Sequence, residues 1–263
     1  MITISDIKRL SELRDRKGRR AQKLFLIEGV RSVSEALEEG AGVRKIILDL
    51  GANSDRFESV FSSAKEQGIE IEEIPATKFR KLSTTESSQG IIAVASIPEF
   101  TFEDLSSEIR SKRSATILIL DRVSDPGNLG TILRSAAWFG IDGIVVAGSS
   151  VDVYNPKVVR SAMAAVLRLK VVQEADLNEV MPELHKVGFA VIASTQDGKA
   201  SCFEYGFPLK LAIVLGSEAS GISKEISQVC DASVFIPRVG KMESLNVGVA
   251  ASIVMAEIAR QRK

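Results

Sequence analysis

Five short apolar runs from Ala115 onward constrain the fold more than any other feature of the sequence. They are rich in β-branched residues and lack the apolar-polar alternation of strands that have one face in water. Segments with helical periodicity lie between most of them. The runs are ATILILDRV, GIVVAG, FAVIAST, LKLAIVLG and ASVFIP. This pattern predicts an α/β domain in which a parallel sheet is covered by helices on both faces.

A second, smaller alternation of helices and strands fills the first third of the chain and is complete by about Ser96. The stretch IPEFTFEDLSSEIRSKRS, residues 97–114, contains a proline, several serines and mixed charge, which is typical of a linker. We therefore expect a smaller α/β domain over 1–96, a linker over 97–114 and the larger domain over 115–263.

The composition argues against several classes of site. The chain of 263 residues has one histidine and two cysteines that lie far apart in the sequence. Zinc sites and histidine-based catalytic dyads therefore lack their residues, and no metal ligand set is expected. The apolar runs are too short to cross a bilayer, and the N-terminus lacks the apolar segment of a signal peptide. A cytoplasmic protein that binds no membrane is the expectation.

Charge is unevenly distributed, although Lys+Arg and Asp+Glu are equal at 34 each. Residues 1–23 carry eight Lys or Arg and three acids, so the rest of the chain is mildly acidic. A basic segment of this kind either contacts nucleic-acid phosphates or is a solvated helix face. The sequence leaves both interpretations open.

The loops that follow the apolar runs form the candidate site, because ligands bind at the carboxyl ends of strands in parallel sheets. Four of these loops combine glycine with polar or charged residues: DPGNLG, STQDG, GSEASG and PRVGKMESLN. None has the glycine spacing of a dinucleotide-binding or triphosphate-binding loop. A nucleotide-dependent oxidoreductase is therefore disfavoured.

Arg134 is the most informative residue that follows the first loop, in a helix predicted over Leu129–Phe139. Helical side chains lean toward the N-terminus, so Arg134 should point back toward a loop where Asn128 is expected to cap the helix. Pairing of Arg134 with Asp121 or Asp125 is the structural alternative. A guanidinium near a helix N-terminus also suits a phosphate or a developing alkoxide.

The third and fourth loops add three polar candidates. Glu218 either caps the helix expected to begin near Ser223 or accepts hydrogen bonds from a ligand, and capping is the simpler interpretation. Ser244 fits the N-cap of the last helix, predicted over Leu245–Gln261. Asn246 would then lie in the first turn of a helix that is apolar nearly all round and is expected to be buried. A buried amide there needs partners, which a ligand could supply.

Three motifs together resemble the SpoU/TrmH branch of the SPOUT superfamily of RNA ribose 2′-O-methyltransferases. They are DRVSDPGNLGTILRSAAWFG, AIVLGSEASGIS and IPRVGKMESLNVGVAASIVMAE, and they lie within Leu120 to Glu257. The segments FLIEGVRSVSEAL and SSQGIIAVAS resemble the substrate-binding domain that precedes the catalytic domain in many members.

The resemblance implies a deep trefoil knot in the C-terminal domain, S-adenosylmethionine as cofactor, RNA rather than DNA as partner, and a homodimer. Large-subunit rRNA is the favoured substrate and tRNA the alternative. A non-catalytic RNA-binding or assembly factor that keeps the fold is a further alternative.

The resemblance also assigns roles to individual residues. The catalytic candidates that it implies are Arg134, Asn128, Glu218, Ser244 and Asn246. The residues that it places around the cofactor are Thr195, Leu215, Gly216, Ser217, Glu218, Gly221, Ile236, Pro237, Ser244, Leu245 and Asn246. Two positions depart from the family pattern, since Arg238 stands where methionine is usual and Ala164 where glycine is common.

Methylation of a ribose hydroxyl requires a poor acid to lose its proton, so positioning and stabilisation of alkoxide charge should dominate the reaction. Arg134 either takes part in proton removal or stabilises the charge. The sequence leaves these two roles open, although a guanidinium is an unfavourable general base.

Overall fold

The computed structural model describes residues 2–52 and 54–262, and it divides into two compact units. Unit 1 contains the chain up to Pro98 together with Asp152–Arg168, and unit 2 contains Glu99–Val151 and the chain from Leu169 onward. Within the described ranges, no helix is long and apolar enough to cross a membrane.

The helices and strands alternate along the chain as the sequence predicts. The strands are β1 (Leu24–Glu28), β2 (Val43–Asp49), β3 (Glu70–Ile74), β4 (Ile91–Ser96), β5 (Ala115–Asp121), β6 (Gly143–Ala147), β7 (Val171–Ala175), β8 (Ala190–Ser194), β9 (Ala200–Ser201), β10 (Lys210–Gly216) and β11 (Ala232–Phe235). The helices are α1 (Ile4–Ser11), α2 (Arg16–Gln22), α3 (Val30–Glu38), α4 (Glu58–Glu66), α5 (Ala76–Leu82), α6 (Phe102–Arg110), α7 (Pro126–Trp138), α8 (Pro156–Ser161), α9 (Ala165–Arg168), α10 (Leu177–Lys186), α11 (Lys224–Gln228) and α12 (Val247–Gln261). Short 3₁₀ helices span Glu12–Arg14 and Ser54–Phe57.

Unit 1 is built on a four-stranded sheet in the order β1-β4-β2-β3. Strand β4 is antiparallel to both β1 and β2, whereas β2 and β3 are parallel. Buried side chains of α1 and α5 pack with those of the sheet in one core, which includes Ile7, Leu26, Phe79 and Val94. The smaller α/β domain predicted for the N-terminal part of the chain is present.

Residues 152–168, which the sequence places in the larger domain, cluster with unit 1 instead. Buried Arg19 holds this segment, because its Nε and Nη2 atoms lie 2.8 and 2.5 Å from Oδ2 of Asp152. The ring of Tyr154 packs on Phe25, with centroids 4.6 Å apart. The boundary expected from the sequence therefore differs from the division into units, since these contacts join distant parts of the chain.

Helices α8 and α9 follow each other closely, but they are separated by a break in the helical backbone. Met163 and Ala164 lie between them with φ angles of 48° and 58°. A left-handed conformation is unfavourable for residues with a Cβ and is tolerated by glycine. This backbone conformation fits the glycine that the resemblance implies at the position of Ala164.

Unit 2 contains a seven-stranded sheet in the order β7-β6-β5-β10-β8-β11-β9, and all neighbouring strands are parallel. The parallel sheet flanked by helices is thus confirmed. The expected linker also contributes to this unit, because α6 buries Leu105 and Ile109 in its core. Most of residues 97–114 therefore belong to unit 2, which begins at Glu99 and includes helix α6.

Candidate active site at the carboxyl edge of the unit 2 sheet

The polar loops identified in the sequence meet at one edge of the unit 2 sheet. Register pairing places Gly216, the last residue of β10, beside Asp121 at the end of β5. On the other side of β10, Leu215 pairs with Ser194 at the end of β8. Thr195 follows β8, and its N–H donates to the carbonyl of Val234 in β11 at 2.9 Å.

Helix α7 begins at Pro126, three residues before the start predicted from the sequence. Asp125 is its N-cap, and Oδ1 of Asp125 accepts a hydrogen bond of 2.8 Å from the N–H of Asn128. The prediction that Asn128 caps this helix was therefore wrong. Proline suits the first helical position because it has no N–H to satisfy, so an aspartate and a proline together start the helix.

Asn246 is the N-cap of α12, where Ser244 was the expected cap. Its Oδ1 accepts hydrogen bonds from the N–H groups of Gly248 and Val249 at 2.9 and 3.2 Å. Ser244 lies two residues earlier and is exposed. Asn246 thus precedes the first turn and fixes the helix start, and its Nδ2 group remains available to other partners.

A hydrogen-bonded chain joins three of the five catalytic candidates. Nδ2 of Asn246 donates to Oδ1 of Asn128 at 2.7 Å, and Nδ2 of Asn128 donates to Oε1 of Glu218. We call Asn128, Glu218 and Asn246 the amide-carboxylate network. Because every amide oxygen accepts and every amide nitrogen donates, the network has one consistent orientation that ends on the carboxylate. Each member comes from a different sequence motif.

Glu218 does not cap the following helix, contrary to the simpler interpretation of the sequence. Helix α11 has Ser223 as N-cap, and the N–H of Ser223 donates to Oδ2 of Asp121 at 2.6 Å. Glu218 instead occupies a tight loop in which Ser217 and Gly221 exchange backbone hydrogen bonds of 3.1 and 2.9 Å. The loop holds the exposed Glu218 where Asn128 reaches it.

The loop after β10 folds back so closely that Gly216 has no room for a side chain. A Cβ at Gly216 would lie 2.2 Å from the carbonyl carbon of Gly221 and 2.3 Å from the nitrogen of Ile222. Both neighbours are backbone atoms, which cannot move aside independently. This contact explains the glycine that the resemblance places around the cofactor.

Asp121 and Arg122 are site-supporting residues whose structural role sequence reasoning missed. The buried Asp121 carboxylate holds Ser223, and Arg122 donates from Nη2 to the carbonyl of Gly221 at 3.3 Å. Arg122 adopts a φ of 59°, an unfavourable conformation for a residue with a Cβ. No local sequence signal marks this backbone conformation, because it depends on the loop that Arg122 contacts.

The strain at Arg122 predicts a stability difference between two substitutions. Arg122→Gly and Arg122→Ala both remove the bond to Gly221, but only glycine adopts the left-handed conformation freely. We expect Arg122→Gly to be the more stable variant by about 1 kcal/mol, or roughly 2–4 °C in Tm. Differential scanning calorimetry of the two variants measures this, and equal Tm values would contradict the assigned strain.

Arg134 lies on α7 with its side chain exposed. Of the two partners considered from the sequence, Asp121 binds Ser223 and Asp125 caps α7. In the part of the chain that the structure describes, Arg134 makes no hydrogen bond or ion pair. Its guanidinium is therefore not a structural element of unit 2 and remains available to a ligand.

The segment between β11 and α12 presents unpaired backbone groups. From Ile236 to Leu245, no backbone group bonds to another backbone group of the described residues. One side-chain contact occurs, from Nη1 of Arg238 to the carbonyl of Met242 at 3.1 Å, so Arg238 shapes this segment locally. Backbone N–H and carbonyl groups offer the donors and acceptors that a purine edge and ribose hydroxyls need. The donor set of this edge thus fits a nucleoside cofactor.

Helices α7 and α12 pack closely against each other, as the small residues of α12 predict. Ser135 and Ser252 share a hydrogen bond of 2.7 Å, and a Cβ at Gly248 would lie 3.1 Å from Thr131. Helix α12 is expected to be buried, and it does bury Val247, Ala251 and Val254, whereas Val249 is 46% exposed. On α7, Trp138 is 84% exposed. These two helices therefore leave apolar surface accessible.

Comparison with known families identifies the chain. Residues 115–256 match the family model of the SpoU rRNA methylase family, over more than half of the sequence. The chain belongs to the SpoU methyltransferase family. Residues 5–93 match the MRM3-like substrate binding domain. The protein is therefore an RNA methyltransferase of the SpoU/TrmH type with a substrate-binding domain before its catalytic domain.

Relatives of similar length support this membership. A protein of Staphylococcus haemolyticus named as a TrmH family tRNA/rRNA methyltransferase is 31% identical over 242 residues, which cover 90% of this chain and 96% of that protein. The solved structure of the SpoU methyltransferase AviRb from Streptomyces viridochromogenes is 27% identical with a TM-score of 0.86, covering 98% of this chain and 97% of that one. AviRb has also been crystallised in complex with the cofactor AdoMet.

A further solved relative bears on the reaction. The structure of an RNA 2′-O ribose methyltransferase is 32% identical with a TM-score of 0.82, and the match covers 99% of this chain and 97% of that chain.

Proposed function

We propose that the protein transfers the methyl group of S-adenosylmethionine to a ribose 2′-hydroxyl in rRNA, with the large-subunit rRNA as the favoured target. The observation that carries this proposal is the amide-carboxylate network, which links one polar residue from each of three motifs. The relative named as an RNA 2′-O ribose methyltransferase supports the choice of atom. The family description, which names rRNA, supports the choice of RNA.

The residues around the carboxyl edge of the sheet would hold the cofactor. When bound, S-adenosylmethionine supplies an electrophilic methyl group on a positively charged sulfur. Backbone groups of Ile236, Pro237 and Leu245 are available for its adenosine part, and Thr195 and Leu215 border the same edge. Gly216 and Gly221 form the tight loop beside it. Ser217 fixes that loop, since its Oγ accepts hydrogen bonds from Ala219 and Ser220 at 3.2 and 3.4 Å.

Arg134 is the residue that we assign to the reacting hydroxyl. An exposed guanidinium offers only donors and a positive charge, so it suits an RNA phosphate and the alkoxide that develops as the hydroxyl loses its proton. Asn128 is on the same helix, and its amide is fixed at both ends by Glu218 and Asn246. Such a fixed group positions a substrate without the cost of ordering it during the reaction. Ser244 is exposed and bonds to none of these three residues, so its catalytic assignment rests on the resemblance.

The accessible apolar surface of α7 and α12 supports the proposed homodimer. An exposed tryptophan on one helix of a packed pair is a common feature of interfaces. We expect the parent protein to sediment at twice the mass of the chain, and Trp138→Asp to shift it to the monomer, because a buried carboxylate opposes association. Phe203 is 50% exposed elsewhere in unit 2, so Phe203→Asp serves as the control that stays dimeric. A Trp138→Asp variant that stays dimeric would show that the interface does not include Trp138.

Two measurements test the proposed activity. Calorimetry with S-adenosylmethionine measures cofactor binding, and transfer of a radiolabelled methyl group to RNA measures turnover. We expect both cofactor binding and methyl transfer, whereas RNA binding without label transfer would favour the non-catalytic alternative. Mapping 2′-O-methyl sites in rRNA and tRNA from cells that lack the protein identifies the substrate. Loss of a site in large-subunit rRNA is expected, and loss confined to tRNA would overturn the choice of rRNA.

Two expectations from the sequence stay predictions. They are the trefoil knot, which the resemblance implies for the catalytic domain, and the cytoplasmic location.

A further inference from the structure

The charges of unit 1 are segregated along the sequence. Residues 1–23 and 76–82 together carry eleven Lys or Arg and three acids, whereas residues 24–75 carry five Lys or Arg and eleven acids. The two basic segments are neighbours, because α1 packs against α5. Their charge therefore adds where the two segments meet, and an anionic partner would be attracted there.

A surface pocket lies where the two basic segments meet. It has a volume of about 400 Å³ and is lined by Ser11, Arg14, Asp15 and Lys81. We call these four residues the basic pocket. Arg14 ends the first 3₁₀ helix, and Lys81 is in the last turn of α5, so the two cations come from different segments of the chain.

The two cations of the basic pocket are unpaired, unlike several cations in the acidic part of the unit. Arg31 pairs with Glu35, and Lys45 pairs with Glu70 and Glu72. Within residues 2–52 and 54–262, neither Arg14 nor Lys81 makes a side-chain hydrogen bond or ion pair. Both side chains are exposed, so their charge is available to a ligand.

Hydrogen bonds to carbonyl groups hold the backbone at Arg14 in place. Nη1 of Arg19 donates to the carbonyl groups of Leu13 and Arg14, both at 2.8 Å. Arg19 is 2% exposed, and its guanidinium is fixed by Asp152. A buried guanidinium with four bonds therefore fixes the position from which the Arg14 side chain extends.

We propose that the basic pocket, through Arg14 and Lys81, binds the phosphate backbone of the substrate RNA. This inference rests on the proposed function, because it assigns a contact surface for the same RNA. Two unpaired cations suit phosphates, and the carboxylate of Asp15 in the same pocket can accept hydrogen bonds from ribose hydroxyls. RNA is the polymer whose backbone has both phosphates and ribose hydroxyls, so the pocket suits RNA better than an acidic protein or an anionic membrane.

The test compares the full chain with two double variants. Arg14→Gln with Lys81→Gln removes the two cations of the pocket, and Arg56→Gln with Lys65→Gln removes two cations from the acidic part of the same unit. Fluorescence anisotropy with a labelled transcript of bacterial large-subunit rRNA is measured over a salt series. The pocket variant should bind about tenfold more weakly near physiological salt. The slope of log affinity against log salt should be shallower by about 1.5, as expected for two lost phosphate contacts.

The control variant is expected to bind as the parent does, and in turnover assays the loss in the pocket variant should fall on the KM for RNA. Equal binding by the pocket and control variants would overturn the inference. The inference would also be overturned, in favour of a membrane, if the parent bound vesicles with anionic lipid and the pocket variant lost that binding while it still bound RNA. A parent that binds RNA through the pocket but transfers no methyl group would contradict the proposed function and leave the pocket assignment standing.

Discussion

Replacing Arg134 by alanine is expected to lower the rate of methyl transfer by about 100- to 1,000-fold, the range found when a preorganised donor to a developing oxyanion is removed. Cofactor binding and thermal stability should change little, because Arg134 is exposed and carries no structural hydrogen bond in the described chain. Single-turnover transfer to RNA measures the rate, and calorimetry with S-adenosylmethionine measures the retained binding.

Two further variants separate this role from a general effect of charge. Arg134→Lys keeps the positive charge but loses the planar fork of donors, so we expect partial activity between alanine and the parent. Arg113 is an exposed arginine before β5, at the opposite edge of the sheet, and Arg113→Ala should retain full activity. An Arg134→Ala variant that binds both ligands and methylates RNA at the parent rate would contradict the assignment.

Gly216→Ala is expected to have the largest effect on the structure of the site. Its Cβ would lie 2.2 Å from the carbonyl carbon of Gly221, so the loop that carries Glu218 must move. Overpacking against backbone costs about 1–3 kcal/mol, which corresponds to a Tm lower by roughly 2–12 °C. Because the displaced loop also borders the edge that we propose for the cofactor, affinity for S-adenosylmethionine should fall at least tenfold.

Gly206→Ala is the matched control for this substitution. A Cβ at Gly206 meets nothing within 4 Å, so the same added methyl group should leave Tm and cofactor affinity unchanged. If Gly216→Ala matched the control in both measurements, the close backbone approach after β10 would not exist in solution.

The sequence predicts the kind of sheet well and its strand order not at all. Continuous apolar runs report that both faces of a strand are covered, and β5, β6 and β10 are indeed buried along nearly their whole length. The order β7-β6-β5-β10-β8-β11-β9 depends on which strands are neighbours. That information lies in contacts between distant residues, and periodicity within one strand does not contain it.

The helix starts at the site show a failure of a different kind. Asn128 and Ser244 were expected to cap α7 and α12, yet Asp125 and Asn246 do so. The Asp125-Pro126 pair is a sequence signal for a helix start at Pro126, since proline is favoured at the first helical position. At α12, Ser244 and Asn246 are both good caps, and only the packed structure selects between them.

Long-range polar contacts account for the remaining differences. Arg19 and Asp152 are separated by 133 residues, and their bond places residues 152–168 in unit 1. Asp121 binds Ser223 across 102 residues, and Asn246 binds Asn128 across 118. The sequence supplied the residue types for the site through its motifs. Which of these residues touch could be known only from the fold.

The most direct test of the central claim is the identity of the methylated atom. The purified protein methylates RNA with labelled S-adenosylmethionine, and the RNA is then digested to nucleosides. The nucleosides are separated and identified by mass spectrometry. We expect the label to be in a 2′-O-methyl nucleoside and to disappear with the Arg134→Ala variant. Label in a base-methylated nucleoside, or none in RNA, would contradict this expectation.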